Sequence, residues 1–261
     1  AYAIFLEACF FDKQYKTTID KAKELYQTAK KQGNENGISA ALYSMALVYN
    51  KTGRTSESED YFRQCINIQK KLKEATPLLT QSYFYLFEII SGDKRSNEAL
   101  LLIDDWKKAI SNYEKNKQLE NPFAWGQVYT AYAKIYLDKG ELSKAEAYCD
   151  SAKIICSEAS NLANQTFIRA LILMSKKEYP QALKLMDEAY QVFSDYNERE
   201  VMIEIMKAKM QILLEKDGNK EGLLLFETIL AQKDSLNNSE FHAQLDELRT
   251  IYNVDKLTAE K

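Results

Sequence analysis

Apolar residues recur along this chain every three to four positions, in stretches of ten to twenty interrupted by short polar breaks, which is the period of amphipathic helices. The clearest stretch is Gln127 to Ser157. There two helical patterns meet across Lys139-Gly140-Glu141, with small residues at Ala133, Ala145 and Ala152 and large ones at Tyr129, Tyr132, Tyr136 and Tyr148. Neither helix hides its apolar stripe alone, so such a hairpin is expected to stack on neighbours and build a continuous core.

The same pattern predicts six helix pairs over about residues 2–31, 36–73, 77–116, 122–158, 162–194 and 199–232, forming one array over 1–233, followed by a helix and charged linker over 234–261. In the first pair Ile4, Phe5, Ala8, Ile19, Ala22, Leu25 and Tyr26 fall at helical spacing, and Gly33 and Gly37 are expected to end it. Thr52-Gly53-Arg54 reads as a turn with a positive φ at the glycine and with Thr55 or Ser56 as the next cap. Ser91-Gly92-Asp93 and Asp217-Gly218-Asn219 read as further breaks, and Pro77, Pro122 and Pro180 suit first helical turns.

A small or replacement residue near the start of each second helix, at Ser58, Ala99, Ala145, Ala182 and Gly222, recurs 37 to 46 residues apart. Three units alternate small and large residues in register: Ala46, Tyr49, Gly53, Phe62 and Cys65; Ala133, Tyr136, Gly140, Ala145 and Ala152; and Ala170, Tyr179, Ala182 and Ala189. On these residues the chain resembles the tetratricopeptide repeat family, whose period is about 34. The first, third and sixth pairs depart from the pattern, with Phe87 in a normally small slot. The resemblance implies an all-α fold, a right-handed α-solenoid of about six helix-turn-helix repeats plus a C-terminal helix.

Composition supports the helical reading. With 46% apolar residues, only 8 Gly and 3 Pro, the chain has few residues that interrupt helices. Its 35 basic and 38 acidic residues leave a net charge of −3, so no basic field draws in nucleic acid or an anionic membrane. No run approaches the roughly 18 apolar residues of a membrane span. The start, AYAIFLEACFF, has neither Met nor a charged leader region and reads as that of an excised or processed piece. Cys149 and Cys156, seven apart on one predicted helix, are too distant to bridge, and all four cysteines read as small core residues.

Catalytic chemistry finds little support. The single histidine, His242, leaves no second imidazole for a metal cluster, and no phosphate-cradling glycine loop is present. Acidic pairs such as Asp104-Asp105 and Glu57 with Glu59 read as solvated faces. The expectation is a non-enzymatic chain with no cofactor and no metal. In the family that the chain resembles, first helices line the concave face. That implies inward positions at Tyr43 and Leu47, Phe84 and Glu88, Thr130 and Lys134, and Phe167 and Leu171. Tyr43 and Leu47 stand where carboxylate-clasping members have Lys and Asn, so a protein or peptide partner, such as an amphipathic helix, fits better than a clasped carboxylate. The same aromatics also read as intramolecular packing, and both readings stay open.

The tail DSLNNSEFHAQLDELRTIYNVDKLTAEK, Asp234 to Lys261, resembles the segment that joins extracytoplasmic tetratricopeptide arrays to a membrane helix in sensor histidine kinases and related transcription regulators of Bacteroidetes-type bacteria. The carrying stretch is LDELRTIYNVDK. The resemblance implies a periplasmic sensor region of an inner-membrane signalling protein, with homodimerisation through the last helix and membrane contact only through a segment beyond Lys261. The alternative is a soluble cytoplasmic adaptor or peptide-responsive regulator.

Overall fold

A computed structural model describes residues 2–72, 74, 76–196 and 198–215, together with Leu224, Leu225, Thr228 and Ile229. The described residues contain eleven helices and no strand. They are α1 (Tyr2–Phe11), α2 (Tyr15–Gln32), α3 (Glu35–Lys51), α4 (Thr55–Gln69), α5 (Pro77–Gly92), α6 (Ser96–Lys117), α7 (Pro122–Asp138), α8 (Leu142–Ile155), α9 (Ala159–Ser175), α10 (Tyr179–Asp195) and α11 (Arg199–Glu215). The expected array divides into two compact units. One holds the chain up to Asp93 with Ser111–Gln118; the other holds Lys94–Ile110 with the chain from Leu119. The expected last helix and His242 lie outside the described residues.

In the first unit each helix packs on the next from α1 to α5, and α3 also packs on α1 and α5. Its core is set by Leu6, Ile19, Ala22, Ala46, Phe62 and Cys65, all buried. The stacked rings of Phe62 and Tyr85 lie 5.6 Å apart, and Tyr43 meets Phe62 edge-on at 5.9 Å. In the second unit α7 to α11 follow the same scheme, with α9 packing on both α7 and α11. Ala133, Ala145, Cys149, Ile168 and Ile172 form one core cluster, and Ala170, Ala182, Met186, Ala189 and Phe193 anchor another. Leu225 and Ile229 pack at Ile203 and Met206 of α11.

The turns between helices explain the repeat better than the glycines do. Gly53 and Gly140 take φ 73, as expected, but Lys13, Lys94 and Lys177 hold the corresponding left-handed positions at φ 60, 57 and 62. The next N–H reaches back to close the helix end: Gln14 to Cys9 O, Arg54 to Tyr49 O, Glu141 to Tyr136 O and Glu178 to Leu173 O, all at 2.8 to 2.9 Å. These closures satisfy carbonyls that a helix end leaves open, which offsets the roughly 1–2 kcal/mol that a left-handed lysine costs.

Several sequence expectations need correction. Gly37 lies inside the first turn of α3, where Asn34 Oδ1 accepts its N–H at 3.0 Å, and only Gly33 ends α2, at φ 64. Gly92 is the last residue of α5, and Lys94 takes the turn. Thr55 begins α4 without capping it; Arg54 stands at the cap position with no side-chain bond to the helix end. α4 stops at Gln69 rather than residue 73, and α8 at Ile155 rather than 158.

Ala145 is fully buried on α8 within the core cluster against α7 and α9. Ala145→Leu is expected to overfill that contact and lower stability by about 1–3 kcal/mol, read from the urea midpoint. All four cysteines are buried thiols. Burial pushes Cys65 up to about 12, against a weaker opposing hydrogen bond from Ser82, and Cys149 up to about 11. Thiolate is the reactive form, so the native protein at pH 8 is expected to resist a thiol reagent that labels all four cysteines after denaturation. Because both values are raised, the contribution of these thiols to stability is full below about pH 9 and is lost as pH rises from there towards 11 and 12.

Candidate functional site

The first helices of the first unit, α1, α3 and α5, enclose a small pocket of about 60 Å³ lined by Ala3, Leu6, Glu7, Phe10, Ala40, Tyr43, Ser44, Leu47, Leu78 and Gln81. The helical period produces it: Ala3, Leu6, Glu7 and Phe10 fall on one face of α1, and Ala40, Tyr43, Ser44 and Leu47 on one face of α3. Leu6, Phe10, Tyr43, Ser44 and Leu47 are buried and make its floor. Ala3, Glu7 and Gln81 are exposed at the rim, with Ala40 and Leu78 half-buried.

The floor is apolar with two polar points. Ser44 donates to Ala40 O at 3.0 Å within its own helix. Burial drives the Tyr43 hydroxyl well above its usual titration range, and Tyr85 and the Glu7 carboxylate push in the same direction. Beneath the floor a buried polar chain ties α3, α4 and α5 together. Gln69 Nε2 donates to Ser39 Oγ, the Cys65 thiol to Ser39 O at 3.3 Å, and the Ser82 hydroxyl of α5 to the Cys65 sulfur at 3.4 Å. Buried groups satisfied in this way hold helices in one register, which keeps the groove wall in place.

The expected inward residues separate into two groups. Tyr43 and Leu47 do line the pocket, yet they are 8% and 4% exposed, so they are core as much as groove. Phe84 and Glu88 lie on the face of α5 that carries Gln81, at three- and seven-residue spacing, and both are half-buried. In the second unit Thr130 is occupied internally: its hydroxyl donates to Gly126 O at 2.8 Å and to Asn161 Oδ1 at 3.3 Å. Phe167 and Leu171 are half-buried against the core of α9, α10 and α11. Lys134 is half-buried on α7.

The sequence pattern located α1 but not the face it buries. It took Ile4, Phe5 and Ala8 as the apolar stripe, but all three are exposed, Ile4 to 70% and Phe5 to 46%, while Leu6, Cys9 and Phe10 are buried, because a helix with apolar residues on every side does not show which face meets a neighbour. It also missed the tyrosine stack of the α7 and α8 hairpin. Tyr148 of α8 stacks on Tyr132 at 4.7 Å and on Tyr136 at 5.4 Å. Lys144 lies 5.0 Å over Tyr136, and the Tyr132 hydroxyl donates to Asp104 at 3.0 Å. Those large residues are thus a surface-facing seam of the hairpin, with Tyr132 alone buried.

The pair α3 and α4, with the turn at Gly53 and Ser58 seated against Ala46 O at 2.8 Å, is the unit in which the small and large positions interlock as the repeat requires. Residues 39–72 match the tetratricopeptide repeat family. The protein kinesin light chain-related 3 of Arabidopsis thaliana is 27% identical over 139 residues, an overlap covering 48% of this chain. The chain spans only 21% of that relative's length. Among solved structures, aspartyl phosphate phosphatase F from Bacillus subtilis is similar with a TM-score of 0.70 at 13% identity, over 89% of this chain and 58% of that one. A Rap protein complexed with competence and sporulation factor is similar at 0.61 and 17% identity, over 99% and 75%. BtubC from P. vanneervenii is similar at 0.56 and 12%, over 86% and 92%. At such identities the likeness is one of fold, the tetratricopeptide-like helical solenoid.

Proposed function

We propose that this tetratricopeptide-like module docks a protein or peptide on the faces of its first helices and serves as the periplasmic sensor part of a membrane signalling protein, without catalysis of its own. The observation that carries the docking part is the pocket between α1, α3 and α5, an apolar floor open at a rim of Ala3, Glu7 and Gln81. An apolar groove with helical walls suits the apolar face of an amphipathic helix or a hydrophobic peptide. Among the described residues, no group of three or more His, Cys, Asp or Glu is arranged to hold a metal ion, and no helix is long and apolar enough to cross a membrane.

The sensor part rests on the tail at residues 234–261, which lies outside the described residues. An alkaline phosphatase fusion after Lys261 in the complete protein tests it, because that enzyme is active only on the outer side of the inner membrane. Activity is expected; an inactive but abundant fusion contradicts the periplasmic placement. Dimerisation through residues 238–261 is the second element. Sedimentation of the chain with and without them is expected to give a dimer and a monomer, and a monomer in both cases removes it. One similarity favours a second reading, a peptide-responsive cytoplasmic regulator: the Rap protein to which this chain is similar was solved with a factor bound. That reading predicts an inactive fusion and retained peptide binding.

A further inference from the structure

We infer that the α1, α3 and α5 groove selects an amphipathic peptide that places an apolar side chain on its floor and a lysine or arginine beside Glu7. The inference rests on the docking reading above and adds the chemistry of the partner.

Glu7 sets the charge preference. It is exposed at the rim of an otherwise uncharged pocket. Among the described residues no ion pair is seen at Glu7, whereas several other carboxylates are engaged: Glu24 by Lys21, Glu57 by Arg54, Glu59 by Arg63 and Glu146 by Lys176. The three helices that form the groove carry the acids Glu7, Glu35 and Glu88 and a single base, Lys51 in the last turn of α3. Five lysines lie on α2, at Lys16, Lys21, Lys23, Lys30 and Lys31, and Lys13 follows the end of α1. The groove therefore presents one carboxylate, Glu7, at the rim of an apolar floor. A basic group arriving there gains attraction without displacing an existing partner, while an acidic group meets repulsion.

The second requirement is apolar. The floor residues Leu6, Phe10 and Leu47 are buried, while Ala40 and Leu78 beside them are half-buried. A side chain entering there covers apolar surface that the chain itself leaves open. An apolar residue and a basic residue one helical turn apart on a peptide satisfy both demands.

The test uses two fluorescein-labelled amphipathic peptides with identical leucine stripes, one carrying lysines and its twin glutamates at the flanking positions, titrated by anisotropy against the whole chain and against Glu7→Lys. The lysine peptide is expected to bind about two- to fivefold more tightly, the scale of one exposed charge pair, and Glu7→Lys is expected to abolish or reverse the preference. Equal binding of the twins, or a preference that survives Glu7→Lys, overturns the inference while leaving docking intact. If neither twin binds but peptides selected against this chain do, the inference again fails alone; if nothing binds, the docking reading fails with it. Because Glu7 is exposed, its substitution leaves the core untouched, and an unchanged Tm verifies this.

Discussion

Replacing Phe62 with Ala is expected to remove about 3–5 kcal/mol of folding free energy. Phe62 is fully buried on α4. Its ring stacks on Tyr85 of α5 at an interplanar angle of 4° and meets Tyr43 of α3 edge-on, so one side chain holds three helices. Truncation leaves a cavity that the surrounding backbone closes only in part, which is why the cost exceeds the transfer free energy of the lost atoms. Because Tyr43 also forms the groove floor, Phe62→Ala is expected to weaken peptide docking as well as folding. The control is Ile154→Ala on α8, where the side chain is 84% exposed and the expected change is within about 0.5 kcal/mol. Urea unfolding of both variants checks the pair, and a cost below about 1 kcal/mol for Phe62→Ala would contradict the packing described.

Gly126→Leu is expected to destabilise the second unit by about 2–4 kcal/mol, combining overpacking with a disturbed buried amide. Gly126 is buried within α7, and a Cβ there would sit 2.4 Å from Asn161 Nδ2 and 2.6 Å from the Cys156 Cβ. Asn161 has little freedom to retreat. Its Nδ2 donates to Phe123 O at 3.4 Å, and its Oδ1 accepts from Gln165 Nε2 at 2.9 Å and from the Thr130 hydroxyl. A leucine therefore pushes α9 from α7 or leaves buried polar groups without partners. The better helix propensity of the new residue returns only about 1 kcal/mol. Gly92→Ala provides the opposite case: a Cβ at that position would meet nothing within 4 Å, and a gain of a few tenths to about 1 kcal/mol is expected. Thermal melts of the two variants should move in opposite directions.

Much of the fold was legible because burial repeats with the helical period. Ala46, Phe62 and Cys65, and Ala133, Ala145 and Ala152, stand out in the sequence through the small and large alternation that carries the family resemblance, and all six are fully buried. The turns were half legible. Gly53 and Gly140 announce a left-handed residue, but Lys13, Lys94 and Lys177 adopt the same conformation with no local sign of it; after Lys13 and Lys177 the closing hydrogen bonds of Gln14 and Glu178, not the residue type, secure the turn. Conversely, Gly37 and Gly92 resemble helix breakers and lie in helices.

The candidate site was legible only through the family resemblance. The rule that first helices line the inner face found Tyr43 and Leu47, which do line the pocket. It did not find Glu7, because a helix that is apolar on every side, as α1 is, gives no indication of which face meets a neighbour, nor did it find Gln81, one turn before Phe84 on α5. Thr130 was placed on an inner face on the same rule, and its hydroxyl is spent inside the α7 and α9 contact. Asn161 and Gln165, both buried, read as ordinary polar helix residues, since the close approach at Gly126 that encloses Asn161 is a property of tertiary packing.

The central claim, that the faces of α1, α3 and α5 form a docking groove, is tested most directly by selecting displayed peptides against the chain and measuring their affinity for Ala40→Trp, which places an indole over the pocket floor. The expected result is enrichment of peptides with an apolar anchor, whose binding falls at least about tenfold, or 1.4 kcal/mol, in a variant of unchanged Tm. Peptides that bind Ala40→Trp as tightly as the unmodified chain would contradict the groove.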